Sequence, residues 1–241
     1  MKAISRIAIG IAAVGLGLVS ATAGAANAMH AGASLGEISY AIVDAAGVSS
    51  TPALSSVFST VSTSVYIHQP FLFEKDYVFG DGIKPITSQT VVEQGQGSAR
   101  THDQAGAYTT TANLAPGLSD VLLGSSSQAY FLSRVAFTLP AHATFSFSGL
   151  ASGYLNREAS GQGYDGMSGT TIRLSENFSD PVAMDAANLY SSRMTNKDSY
   201  AKTLKVSYTN PGDTDMLMHL DVSGGSVATN IEADMPGRPP R

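Results

Sequence analysis

Through much of this chain every second residue is apolar, and a period of two suits a β-strand that buries one face and wets the other. Ile38, Tyr40 and Ile42 alternate with Ser39 and Ala41 ahead of Asp44. Val57, Val61, Val65 and Ile67 share one parity, with Thr60, Ser62 and Ser64 on the other. Phe71, Phe73, Tyr77 and Phe79 hold odd positions around Lys75 and stop at Gly80-Asp81-Gly82, a strand closed by a turn. Phe131, Val135, Phe137 and Leu139 share parity; Pro140-Ala141 interrupts them; Phe145 and Phe147 resume, which predicts a hairpin in the core. Thr170, Ile172 and Leu174 open another strand. Leu204, Val206 and Tyr208 lead through Asn210-Pro211-Gly212-Asp213 to Met216, Met218, Leu220 and Val222, a second predicted hairpin.

Elsewhere the pattern weakens. From Gln89 to Asn113 the chain is polar and carries Gly95, Gly97 and Gly106, which predicts strands near Thr90–Glu93 and Ala107–Leu114 with a mobile loop between them. Asp180-Pro181 has the chemistry of a helix cap and first turn, with Val182, Ala186 and Leu189 on one face of a short helix. Fifty Ser and Thr residues, 24 Gly and only 14% charged residues match strands and turns. The expected fold is all-β: an antiparallel, jelly-roll-like β-sandwich filling residues 29–227, with a disordered tail over 228–241. With no cysteine, disulfides and thiolate metal sites are excluded.

Ahead of that domain, Lys2 and Arg6 precede an apolar run from Ile7 to Val19, and Ala26-Asn27-Ala28 supplies a small-x-small triplet. This is the layout of a secretory signal peptide over residues 1–28, cleaved after Ala28. The run falls short of the roughly 20 residues a spanning helix needs, so no stable membrane anchor is expected at this end. Cleavage removes two basic residues and no acidic one, taking the net charge from −5 to −7. An acidic chain without a Lys/Arg cluster excludes nucleic acid as a partner.

Motifs for chemistry are sparse. Gly32-Ala33-Ser34-Leu35-Gly36 matches the nucleophile-elbow pattern, but it runs into a strand and is expected to be a flexible mature N-terminus. His30, His68, His102, His142 and His219 are scattered; His219 lies on the polar parity beside Asp221 and is expected at the solvated surface, and His30 too near the terminus to be held rigidly. Asp213 and Asp215 are the candidate ligands for a structural calcium ion, as closely spaced loop oxygens suit a hard cation. Glu74, Glu93, Glu158 and Glu176 could supply the paired carboxylates of a glycosidase. The aromatic series from Tyr66 to Phe79 could form a carbohydrate platform, yet core packing is the expectation for a chain without Trp. No cofactor is expected.

Two stretches resemble the exported bacterial proteins that carry a PEP-CTERM sorting tail: Leu35 to Asp44, an alternating strand ending in Asp, and Phe137 to Gly149, where a Leu/Pro turn leads into an alternating Thr/Phe/Ser strand. The sorting tail itself is absent, since Met235-Pro236-Gly237-Arg238-Pro239-Pro240-Arg241 follows no apolar segment. The resemblance implies a periplasmic or extracellular protein associated with polysaccharide or envelope components, and transfers no catalytic residue. The expected function is a non-catalytic binding or structural role in the bacterial envelope or matrix. The alternatives are a secreted carbohydrate-active hydrolase or lyase and a self-assembling surface component.

Overall fold

The computed structural model describes residues 29–67, 71–101, 107–114, 125–157, 164–176, 180–190 and 197–230. These form strands β1 (Met29–Val43), β2 (Ser49–Ser50), β3 (Ser55–Ile67), β4 (Leu72–Gly80), β5 (Ile86–Val92), β6 (Gly95–Thr101) and β7 (Tyr108–Leu114). They continue with β8 (Ser126–Leu139), β9 (Thr144–Arg157), β10 (Tyr164–Glu176), β11 (Pro181–Tyr190), β12 (Lys197–Thr209) and β13 (Met216–Asn230), with no helix among the described residues. The signal segment lies outside them, as do residues 231–241 of the expected tail; its first three residues, Ala228 to Asn230, instead complete β13 in pairing with β10.

Two antiparallel sheets pack face to face, the expected β-sandwich. One runs β12-β9-β1-β7-β6-β5, with β2 added to β1; the other runs β11-β10-β13-β8-β3-β4. Inward side chains of both build one main core, with Phe137 and Phe145 ring centroids 4.3 Å apart and Leu139, Ile172, Leu174, Leu204 and Met218 fully buried. In β1 the buried parity changes from Met29, Ala31, Ala33 and Leu35 to Ile42 across a bulge between Gly36 and Ser39, where Glu37 takes φ 51°. That bulge lets one strand serve two apolar registers.

Both predicted hairpins are corrected. β8 and β13 belong to the six-stranded sheet and β9 and β12 to the seven-stranded one, so each turn is an arch between sheets. Alternation says which face is buried; it does not say whether the next strand hydrogen-bonds beside the first or faces it. The arches are joined at one end: the Asn210 backbone N–H donates to Ala143 O at 2.9 Å. Its buried carboxamide donates to Leu139 O, Pro140 O and Thr214 O at 3.2, 3.1 and 2.8 Å.

Three local readings also change. The stretch expected as a mobile loop holds β6, whose inward positions Gly95 and Gly97 let the opposite sheet approach; a Cβ at Gly97 would lie 2.7 Å from Gln128 O. The expected helix is β11, paired with β10 from Ser175↔Pro181 to Met167↔Tyr190. The expected flexible N-terminus is β1, a central strand between β7 and β9.

Each side of the sandwich is closed by an aspartate of the six-stranded sheet. Asp76 on edge strand β4 accepts from the Gln89 backbone N–H of edge strand β5 at 3.2 Å. On the other side Asp185 of β11 accepts from the Lys205 backbone N–H of β12 at 2.9 Å and from Lys202 Nζ at 2.6 Å. Such contacts occupy backbone donors that would otherwise invite another strand. Burial opposes ionisation of Asp185, but the hydrogen bonds from Lys202, Lys205 and Ala186 and the charge of Lys202 outweigh it, so its pKa lies below the ordinary carboxylate value. The stabilisation it gives is therefore present above pH about 4 and lost as pH falls through the lowered folded value. Asp185→Asn is expected to cost on the order of 1 kcal/mol at neutral pH in urea unfolding, with the gap from wild type closing in acid; a gap independent of pH contradicts this account.

Candidate functional site

The calcium candidates sit in the β12–β13 arch. Asp213 Oδ1 lies 3.0 Å from His142 Nε2, and Asp215 Oδ1 accepts from the Ala141 backbone N–H at 3.3 Å. Among the described residues no group of three or more His, Asp or Glu side chains gathers around a metal position. Ser34 lies within β1 and hydrogen-bonds Ser152 Oγ at 2.7 Å, without the strand-to-helix turn an elbow requires. His30, also in β1, is held by Asn113 Oδ1 at 2.8 Å, which corrects the expectation of a loose terminal residue. Glu74 lies on β4, Glu93 in the β5–β6 turn and Glu176 at the end of β10, while Glu158, His68 and His102 fall outside the described residues.

His219 requires a larger correction. It does occupy the outward parity of β13, yet only 2% of it is exposed. Register neighbours Ala136 and Ser175 flank it, and one row along Arg134 grips Asp221 with two hydrogen bonds of 2.5 Å, Nε to Oδ1 and Nη2 to Oδ2. Arg134 also stacks over Phe58, 5.5 Å from the ring centroid. Burial, and then the charge of Arg134, holds the His219 imidazole below its ordinary pKa against the pull of Asp221. It is a neutral, covered side chain, and Asp221 is neutralised in a fork. This cluster fixes the sheet surface beside it.

The aromatic series is corrected most sharply. Phe71, Phe73, Tyr77 and Phe79 are 76%, 53%, 55% and 65% exposed, on the outer face of the six-stranded sheet. The rings are braced from β3: Phe58 stacks on Phe79 at 6.0 Å, and Tyr66 meets Phe71 edge-on at 5.7 Å. Tyr130 and Tyr190 join them, so all six exposed aromatics among the described residues belong to this one face.

Strand register aligns the face into rows. One row runs Tyr77, Ser62, Tyr130, Gly225, Gly169, Asn188 from β4 to β11. With strands about 4.8 Å apart it spans about 24 Å. A methyl group at Gly225 would collide with the Tyr130 ring, and one at Gly169 with the Asn188 carboxamide, so both side chains lie down over glycine backbone. The result is a groove of about 240 Å³, with Tyr130, Asn188, Thr171 and Ser223 on its walls. Burial keeps the Tyr130 phenol above its ordinary pKa, hence protonated and able to donate. Sequence reasoning missed Tyr130, Asn188 and the glycine floor; Gly224-Gly225 interrupting a strong alternation, and Tyr130 standing off-parity beside Phe131, were the available signals. No family model, curated protein or solved structure matches the chain.

Proposed function

We propose that this is an exported binding protein that holds a polysaccharide chain across the outer face of its six-stranded sheet. The single observation that carries the reading is the gathering of every exposed aromatic among the described residues on that face, in rows that cross the strands. Sugar rings present apolar C–H faces that stack on aromatic rings and equatorial hydroxyls that need partners. Between the rings stand polar groups, Ser62, Ser64, Gln128, Ser223 and Asn188, which can meet those hydroxyls. A row of about 24 Å suits several sugar units in an extended chain. Lys75, in the middle of the aromatic strand, disfavours the self-assembly reading, because copies pairing antiparallel through that stretch would oppose like charges. Export rests on the Lys2 to Ala28 segment, and an envelope or matrix setting on the PEP-CTERM resemblance.

The test is affinity electrophoresis of residues 29–241 through gels containing neutral glucans, mannans or galactans. Retardation by at least one polymer is expected, with Tyr77→Ala/Tyr130→Ala weakening it at least tenfold, since two stacking contacts contribute about 1 kcal/mol each. Migration unaffected by every polymer, or a double variant retained like wild type, overturns the reading.

A further inference from the structure

The opposite face of the sandwich has different chemistry. On the outer surface of the seven-stranded sheet short hydroxyl side chains meet across strands: Ser39 with Ser148 at 2.8 Å, Ser146 with Ser207 at 3.2 Å, Thr144 with Thr209 at 2.8 Å, and Ser98 with Thr111 at 2.7 Å. Over β12, β9 and β1 these leave a shallow groove of about 450 Å³, with Lys205 in the same row as Ser148 and Ser39. Lys197 on β12 and Arg100 on β6 point outward from the same face. Among the described strand residues facing this way, Glu37 at the β1 bulge is the only acidic one, in a chain whose net charge is −5. Three basic residues of an acidic protein, Lys205, Lys197 and Arg100, thus stand on a hydroxyl-rich face with one acidic strand residue among those described.

We infer that this face is a second binding site, for an anionic polysaccharide. Lys205 and Lys197 stand eight residues apart on β12, about 27 Å along the strand, so one small anion cannot touch both and a polymer with repeated charges can. Paired Ser and Thr hydroxyls both donate and accept, which matches sugar hydroxyls lying between the carboxylates. A lipid surface fits less well: exposed large apolar side chains on these strands are confined to Val43 and Val91, too few to enter a bilayer. Nucleic acid lacks an exposed ring to stack on here. The inference does not rest on the aromatic-face reading, and together the two faces would make the protein a bridge between polymers of different charge.

Binding of residues 29–241 to alginate, a uronic-acid polymer, tests it, with phosphatidylglycerol vesicles as the lipid control and dextran as the uncharged control in the Tyr77→Ala/Tyr130→Ala variant, where the aromatic face is disabled. Alginate binding that weakens as salt rises is expected. Lys197→Glu/Lys205→Glu should reduce it at least tenfold while leaving the circular dichroism spectrum unchanged, and Tyr77→Ala/Tyr130→Ala should leave it intact. Wild-type affinity in the charge-reversed variant, no alginate binding, or vesicle binding in place of alginate binding overturns the inference. Loss of alginate binding in the tyrosine variant alone would place the site on the other face and overturn it equally.

Discussion

Asn210→Asp is expected to destabilise the protein more than Asn210→Ala, although Asp is the closer match in shape. Asn210 is fully buried where the two inter-sheet arches meet. Its Nδ2 donates to three backbone carbonyls, and its Oδ1 accepts from the Gly212 N–H at 2.9 Å. Alanine removes all four contacts and leaves buried carbonyls without their donor, for about 3 kcal/mol. Aspartate preserves the Gly212 contact but turns a buried carboxylate toward three carbonyl oxygens. That loss should exceed about 4 kcal/mol at neutral pH and shrink in acid, where the protonated group can donate once. Urea unfolding followed by circular dichroism measures both variants. Equal effects, or losses below about 1 kcal/mol, would show that the arches hold without this junction.

The second large effect is asymmetric. Removing Arg134 strands the Asp221 carboxylate, whose side chain is 8% exposed, whereas removing Asp221 leaves a guanidinium that is 19% exposed and still stacked on Phe58. Arg134→Ala is therefore expected to cost about 3 kcal/mol and Asp221→Asn about 1 kcal/mol. Replacing both partners by apolar residues, as Arg134→Met/Asp221→Leu, should recover most of the loss, because desolvation of the ions opposes their attraction. A double variant less stable than Arg134→Ala contradicts that balance. As the pair flanks the aromatic rows, Arg134→Ala should also loosen Phe58 and with it the brace on Phe79.

The residues explain why some of this was legible beforehand. Fully buried side chains such as Phe145, Leu174, Leu204 and Met218 lie on parities evident from alternation, and export of their apolar faces to water would be prohibitive in any arrangement. Arch and hairpin, by contrast, bury the same parity, so Phe137 and Phe145 were assigned to the core correctly and to one sheet incorrectly. β6 was obscured because two of its inward residues are glycines, Gly95 packed against Val65 and Gly97 against Gln128 O, and glycine has no hydropathy signal for a buried strand. In β11, Val182, Ala186 and Leu189 fit a helical spacing, but pairing with β10 overrides local propensity. The site was visible as a pattern and read inside out: Phe73, Tyr77 and Phe79 share a face, and the usual fate of aromatics pointed that face inward. His219 failed the opposite way, since outward parity does not expose a side chain that its neighbours cover.

The position of β13 bears on when folding can happen. This strand, the last in the described residues, lies between β10 and β8; without it the six-stranded sheet is two separate pieces, β11-β10 and β8-β3-β4. Neither piece can become the finished sheet until the chain has been delivered through Asn230. Long-range closure of this kind is slow. For a chain that we propose is exported, the consequence is a delay: a nascent molecule whose keystone has yet to emerge cannot close the sandwich, and its six-stranded sheet stays in pieces for that long.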